Sequence, residues 1–416
     1  MEFYELLFEF NKANSAKEIF DTYIQNYKEC ERHQLEVISC DKDIALNLPI
    51  LKDIMDIPNI ITIFKYPNLS FLNSTIVIDM INEKRTPLSI DYSISFESNT
   101  AKYLHEYLTK EKTNKVFIDT LHTFLDKNYN LDPMFYIIEN VAKENNSQGF
   151  HNNLISIKKL MTCDIEHYKA TKQIKSVFSD EEIELISKRE IEYIKDEFKG
   201  VIYAAREQHL IMQIILLIIT IARFKYTDNK EKEKLQFEYL IKFMSEKLKT
   251  IFLRELTIAL DYLYFENNRN KLFKGSDEKE KYTFFNKLNT ENKDTLFKSI
   301  QNMAWDFTLI RQLEIYFSSK PNAKADFFIP FLFTFDTGLL EIMKIFHVKN
   351  FLIFHKEKRT IPISINNLNM SKIKEYNLEK YFTEPALVSR LHSEDVDLKK
   401  IYEELKLEII RVRKLK

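Results

Sequence analysis

Residues Asn302–Leu340 read NMAWDFTLIRQLEIYFSSKPNAKADFFIPFLFTFDTGLL, and the fold turns on how this stretch divides. Its first part sets apolar residues at Trp305, Leu309, Ile310, Leu313 and Phe317, a helical stripe. Its second part, Phe327–Phe335, is a short apolar run rich in aromatics, which predicts a buried strand. Pro330 removes one ladder donor and moves that strand toward an edge or a bulge. The run closes on Thr334-Phe335-Asp336, and Asp306 directly follows the only Trp of the chain. An acid at a strand end suits a hard cation when other acids converge on it. Taken alone, Asp336 reads as the N-cap of a helix Thr337–Phe346.

Working outward, Leu88–Phe96 alternates strictly, with Ile90, Tyr92, Ile94 and Phe96 on one face. Asp91, Ser93, Ser95 and Glu97 fall on the other, which predicts either a wet face or acids aimed into a polar cleft. Asn350–His355 is a further strand, Ile361–Ile365 another, and Ile60–Tyr66 and Ile76–Met80 are two more. Apolar strands separated by helices favour parallel pairing. The expected fold is therefore α/β: one central, mainly parallel sheet flanked by helices, with a large helical subdomain. That sheet is expected to hold Leu88–Phe96, Phe327–Phe335 and Asn350–His355.

Helix starts are marked locally. Ser15 with Glu18 and Ser179 with Glu182 read as capping boxes. Asp132-Pro133 opens Met134–Lys143, which carries Glu139 among Ile137, Ile138 and Val141. Helices are also expected over Thr100–Leu108, Lys115–Lys127 and Leu398–Lys416, the last with a basic tail that reads as a helix C-terminus or a phosphate contact. From about Asn145 to Ile300 no strand pattern and no fixed repeat is visible. The expected division is 1–144 as N-terminal helices and the first part of an α/β domain, 145–300 as a helical insertion, and 301–416 as the second part.

Composition narrows the chemistry. The chain has 416 residues and a formal net charge of -1, so no global field draws in nucleic acid. Only four glycines occur, Gly149, Gly200, Gly275 and Gly338, and no P-loop, GxGxxG or GxSxG can be written with them. Cys30, Cys40 and Cys163 form no CxxC, and a reducing, cytoplasmic setting is expected. Met1–Asn11 does not read as a secretory signal. Leu210–Ala222 is apolar but shorter than the ~20 residues that span a bilayer, so a buried core helix and no membrane contact are expected. Arg206-Glu207-Gln208-His209 lacks the Arg-x4-His spacing of the all-helical HEPN ribonucleases.

In order along the chain, Glu97-Ser98-Asn99, Glu139, Asp306 and Thr334-Phe335-Asp336 resemble the PIN-like nuclease pattern. That family sets Asp-x-Asn at the end of its first strand, a mid-chain Glu on a helix, then an Asp, then Thr-x-Asp. Here Glu stands in place of the first Asp, and Asp91, earlier on the same strand face, is the alternative first acid. The stretch between Glu139 and Asp306 is far longer than the family's spacing, which makes the helical region an insertion. The resemblance covers about 87–143 and 300–356. It implies a Mg²⁺- or Mn²⁺-dependent endoribonuclease acting on RNA, of the toxin or host-defence kind. It implies Asp306 and Asp336 as metal ligands, completed by Asp91 or Glu97. Glu139 would bind metal or orient water, and Asn99 and Thr334 would hold the acids in place. Partner proteins and self-association stay open. The competing reading is a non-catalytic helical interaction protein whose acids are caps and solvated side chains.

Overall fold

The structure, a computed structural model, describes residues 3–13, 15–40, 48–84, 88–109, 114–272, 283–319, 324–364, 370–391 and 396–415. The chain forms two compact units. The first takes in Met1–Tyr203, Leu309–Asp336 and His347–Ile365; the second takes in Ala204–Thr308, Thr337–Phe346 and Asn366–Lys416. All strands among the described residues belong to the first unit, so the molecule is mixed α/β with helix predominating.

Among the described residues there are two four-stranded sheets rather than one. The strands are β1 (Leu35–Cys40), β2 (Ile60–Ile61), β3 (Leu69–Leu72), β4 (Ile90–Phe96), β5 (Leu131–Asp132), β6 (Phe327–Phe333), β7 (Val348–Phe354) and β8 (Arg359–Ser364). One sheet runs β3-β1-β7-β8 and is antiparallel throughout. The other runs β2-β6-β4-β5 and is mixed: β4 pairs parallel with both β6 and β5, while β2 pairs antiparallel with β6. The expected parallel pairing of Leu88–Phe96 with Phe327–Phe335 is present, from Ile90↔Phe327 to Phe96↔Phe333. The expected single central sheet is not. Asn350–His355 falls in the antiparallel sheet as β7, between β1 and β8. The short turn after Phe354, with Lys358 at φ 52, folds β8 back on β7 as a hairpin, and β1 takes the other flank of β7.

Ile76–Met80 is a helix, not a strand. Asn73 caps Ser74–Ile81 by accepting from the backbone N–H of Ile76, and this cap decides an apolar run too short for periodicity to settle. Ile60–Tyr66 keeps only β2 and an isolated bridge between Phe64 and Val348. Pro330 is tolerated inside β6 because β2 covers only Leu332 and Phe333 on that flank. Pro87 and Ile365 lie outside the described residues.

The sheet that carries β4 and β6 is covered on both faces. On one, Phe96, Phe117, Phe124 and Phe333 form an aromatic core with the helices Ser98–Leu108 and Lys115–Lys127. Phe117 stacks on Phe333 at 5.6 Å with a 17° interplanar angle. On the other, the helix Met134–Ala142 packs on β4, so Ser93, Ser95 and Glu97 are buried rather than wet. In the second unit, residues 212–222 of the helix Lys199–Lys225 are buried in sequence. This is the one helix among the described residues long and apolar enough to cross a membrane. In the helix Leu398–Arg413, Arg413 lies over the Phe224 ring at 4.2 Å and donates to the Leu288 carbonyl at 2.8 Å.

Phe333→Ala removes a fully buried ring from the contact between sheet and helices. It is expected to destabilise the fold by about 3–5 kcal/mol, read as a lower urea midpoint. An unchanged midpoint would show that this core does not hold the sheet.

Candidate functional site

The two parallel strands β4 and β6 end side by side, and the site grows from their ends. After Phe96 the chain stays extended at Glu97 (φ -85, ψ 162), the N-cap of the helix Ser98–Leu108. The Glu97 N–H donates to the Phe333 carbonyl at 3.3 Å. The Thr100 hydroxyl contacts the carbonyls of both Glu97 (2.8 Å) and Phe333 (3.0 Å), stitching the strand ends together. The next residue of the neighbouring strand is Thr334, whose N–H is held by the Asn59 carbonyl at 2.9 Å.

These backbone ties fix the side chains. The Thr334 hydroxyl donates to Glu97 Oε2 and accepts from the Asp336 N–H at 3.0 Å, so it both donates and accepts. Asn99 Nδ2 donates to Glu97 Oε1 at 2.8 Å. Glu139 arrives from β5 and the following helix, which Asp132 starts by accepting from the Met134 N–H at 2.7 Å. Ser98 Oγ donates to Glu139 Oε2 at 2.8 Å, and the Lys143 ammonium, one turn on, closes on Glu139 Oε1.

Burial, first of all, pushes the Glu97 carboxyl up to about 8, and repulsion from Glu139 and Asp336 adds to it. The Thr334 hydrogen bond and the Lys143 ammonium work the other way. Glu97 is 4% exposed and Glu139 6%, so these charges act where water screens them poorly.

Of the residues expected from sequence, Glu97, Asn99, Glu139, Thr334 and Asp336 come together. Asp91 does not. It lies at the opposite end of β4, roughly 20 Å from Glu97 at ~3.3 Å per residue. There it accepts from the Tyr92 N–H, and Tyr316 has its phenol pushed up by burial and by Asp132, with Asp91 adding to it. Asp306 is half-buried on the helix Lys293–Phe317 and belongs to the second compact unit, whereas this cluster lies in the first. Ser98 and Lys143 were passed over; their signals were adjacency to Glu97 and the i,i+4 spacing from Glu139.

The oxygen donors suit a hard cation in kind. In this arrangement Thr334 and Asn99 engage the oxygens of Glu97, and Ser98 and Lys143 engage those of Glu139. Among the described residues, no three acids, histidines or cysteines are grouped so that they could hold a metal ion. No family model matches the chain, and no curated protein or solved structure matches it.

Between about pH 4.5 and about 8 the folded chain keeps a proton on Glu97 that the unfolded chain has released. Stability contributed by this neutral carboxyl is full below the lower value and is lost as pH rises through the window. Wild type should therefore lose unfolding free energy relative to Glu97→Gln between pH 5 and pH 8, measured in parallel urea titrations. A difference that stays constant with pH would refute the assignment.

Proposed function

We propose that the chain is a PIN-like ribonuclease that depends on Mg²⁺ or Mn²⁺, with Glu97, Glu139 and Asp336 as its acids. One observation carries the reading: Glu97 and Asp336 follow the carboxyl ends of the adjacent parallel strands β4 and β6, and Glu139 from the neighbouring helix and Asp336 both act on the buried Glu97 carboxyl. That is where open α/β sheets place their ligands. The RNA substrate, the toxin or host-defence setting and the cytoplasmic location rest on the sequence resemblance. A central, mainly parallel sheet of the family's kind is here reduced to the pairs β6-β4-β5.

A divalent cation, when bound, supplies charge neutralisation and a bound hydroxide for in-line attack on a phosphodiester. The chain's own residues set the conditions for it. Thr334 and Asn99 orient Glu97, and Ser98 orients Glu139. The Thr334 hydroxyl ties the Glu97 carboxyl to the backbone N–H of Asp336.

A second reading is favoured by one specific observation: both oxygens of Glu97 and both of Glu139 already have partners within the chain. On that reading the cluster is a structural knot in a non-catalytic interaction protein. An RNA cleavage assay with Mg²⁺, Mn²⁺ or EDTA separates the two. Asp336→Asn and Glu97→Gln should each lower cleavage by about 100-fold or more while circular dichroism stays native. Asp91→Asn should leave cleavage unchanged, and EDTA should abolish it. Cleavage that survives EDTA and both acid substitutions would falsify the nuclease site.

A further inference from the structure

The antiparallel sheet carries a cavity of its own, which shares no lining residue with the acids beyond β4 and β6. It is an open cleft of about 670 Å³ beside the start of β1 and the end of β7, and its lining residues all belong to the first unit. That volume falls within the roughly 300–1,000 Å³ of small-molecule sites. Its charged groups are Glu31, Glu36 and His355, and no lysine or arginine among the described residues lines it.

Glu36 is the unusual member. It is the second residue of β1, only 7% exposed, and its partner across the ladder is the apolar Ile353 of β7. A carboxylate in such a place is costly unless it is paired. The imidazole of His355, the residue directly after β7, meets it: Nε2 stands 2.9 Å from Glu36 Oε2. The two are close but poorly aligned, since the buried Nε2 makes no hydrogen bond.

A brace between β1 and β7 needs no cavity beside it. Here one opens against the pair, and the rest of its wall is rich in uncharged hydrogen-bonding groups. Asn73 accepts from the Ile76 N–H at 2.9 Å through its side-chain oxygen, which leaves its amide nitrogen to donate. The Ser74 hydroxyl lies 3.2 Å from that of Tyr23, and Thr75 is exposed. The two parts of the wall suit different groups: carboxylates accept from a cation, while amide and hydroxyl donors suit uncharged oxygens. A metal ion needs several ligands crowded on one point, and no three acids, histidines or cysteines are so grouped among the described residues. A small molecule spreads its groups and needs no such crowding.

We propose that this cavity binds a small organic cation that also carries hydroxyl groups, a hydroxylated amine of the amino-sugar kind. Its ammonium meets Glu36 and Glu31 and supplies the aligned donor that His355 does not. Its hydroxyls meet Asn73, Ser74 and Thr75. The site is independent of the nuclease reading.

The test is isothermal titration calorimetry of the full chain with glucosamine, without RNA or metal. Glucose keeps the ring hydroxyls but lacks the ammonium, and should bind about tenfold more weakly or worse. Ethylamine keeps the charge but lacks the hydroxyls, and should weaken by a similar factor. Glu36→Gln preserves the shape of the side chain and should cost about tenfold or more in glucosamine affinity. Glu31→Gln, at an exposed position, should cost about two- to fivefold. It keeps the location testable if Glu36→Gln loses its native circular dichroism. No heat of binding from glucosamine overturns the site. Glucose or ethylamine bound as tightly as glucosamine overturns the class of ligand. Glucosamine bound equally by wild type and the natively folded variants puts it elsewhere and overturns the assignment.

Discussion

The parallel pairing of β4 with β6 is the constraint on which the rest depends. In a parallel ladder both strands reach the same edge with the same polarity. The residues just beyond each strand are then forced to be neighbours, however far apart they are in the chain. Glu97 and Thr334 are 237 residues apart in sequence and share a hydrogen bond for this reason. The aromatic core behind the strands fixes the register, since Phe96 and Phe333 are cross-strand partners packed edge to face at 5.8 Å. A slip of one residue would turn Glu97 toward that apolar core and break the register.

The site is a contest between burial and charge. Burial of Glu97 favours its neutral form, and two further acids beside it push the same way. Donors from Thr334 and Asn99, and the charge of Lys143, stabilise the ionised form. The charge on Glu97 is thus set by the balance of these opposing influences.

Much of this was legible in the sequence where local chemistry decides structure. Asn114 and Ser179 cap helices that run over Lys115–Lys127 and Asp180–Glu197, close to the reading from capping residues and periodicity. β1 was missed because LEVISC is buried at every position and shows no alternation. Glu97, Asn99, Glu139, Thr334 and Asp336, which the fold brings together, stand out in the sequence through ordered short motifs. Asp91 was drawn in because alternation reports the face of a strand but not the distance along it. Asp306 was drawn in by its place beside Trp305, and Trp305 proves to stack on His209 at 4.1 Å within the second unit. Which acids share a unit is a tertiary fact, and no local pattern encodes it.

The long gap between the partners also has a bearing on how the chain is made. A ribosome adding roughly 5–20 residues per second needs on the order of 10–50 s to travel from Glu97 to Thr334. Throughout that interval β4 has no β6 beside it, and β5 offers it only two residues. The helices Ser98–Leu108 and Lys115–Lys127 follow β4 directly and form on a far shorter timescale. They can shelter its apolar face, but its open edge must wait for the whole helical region to emerge. The nascent chain therefore passes through a long-lived half-sheet, the state in which strand edges are most prone to pair with the wrong neighbour.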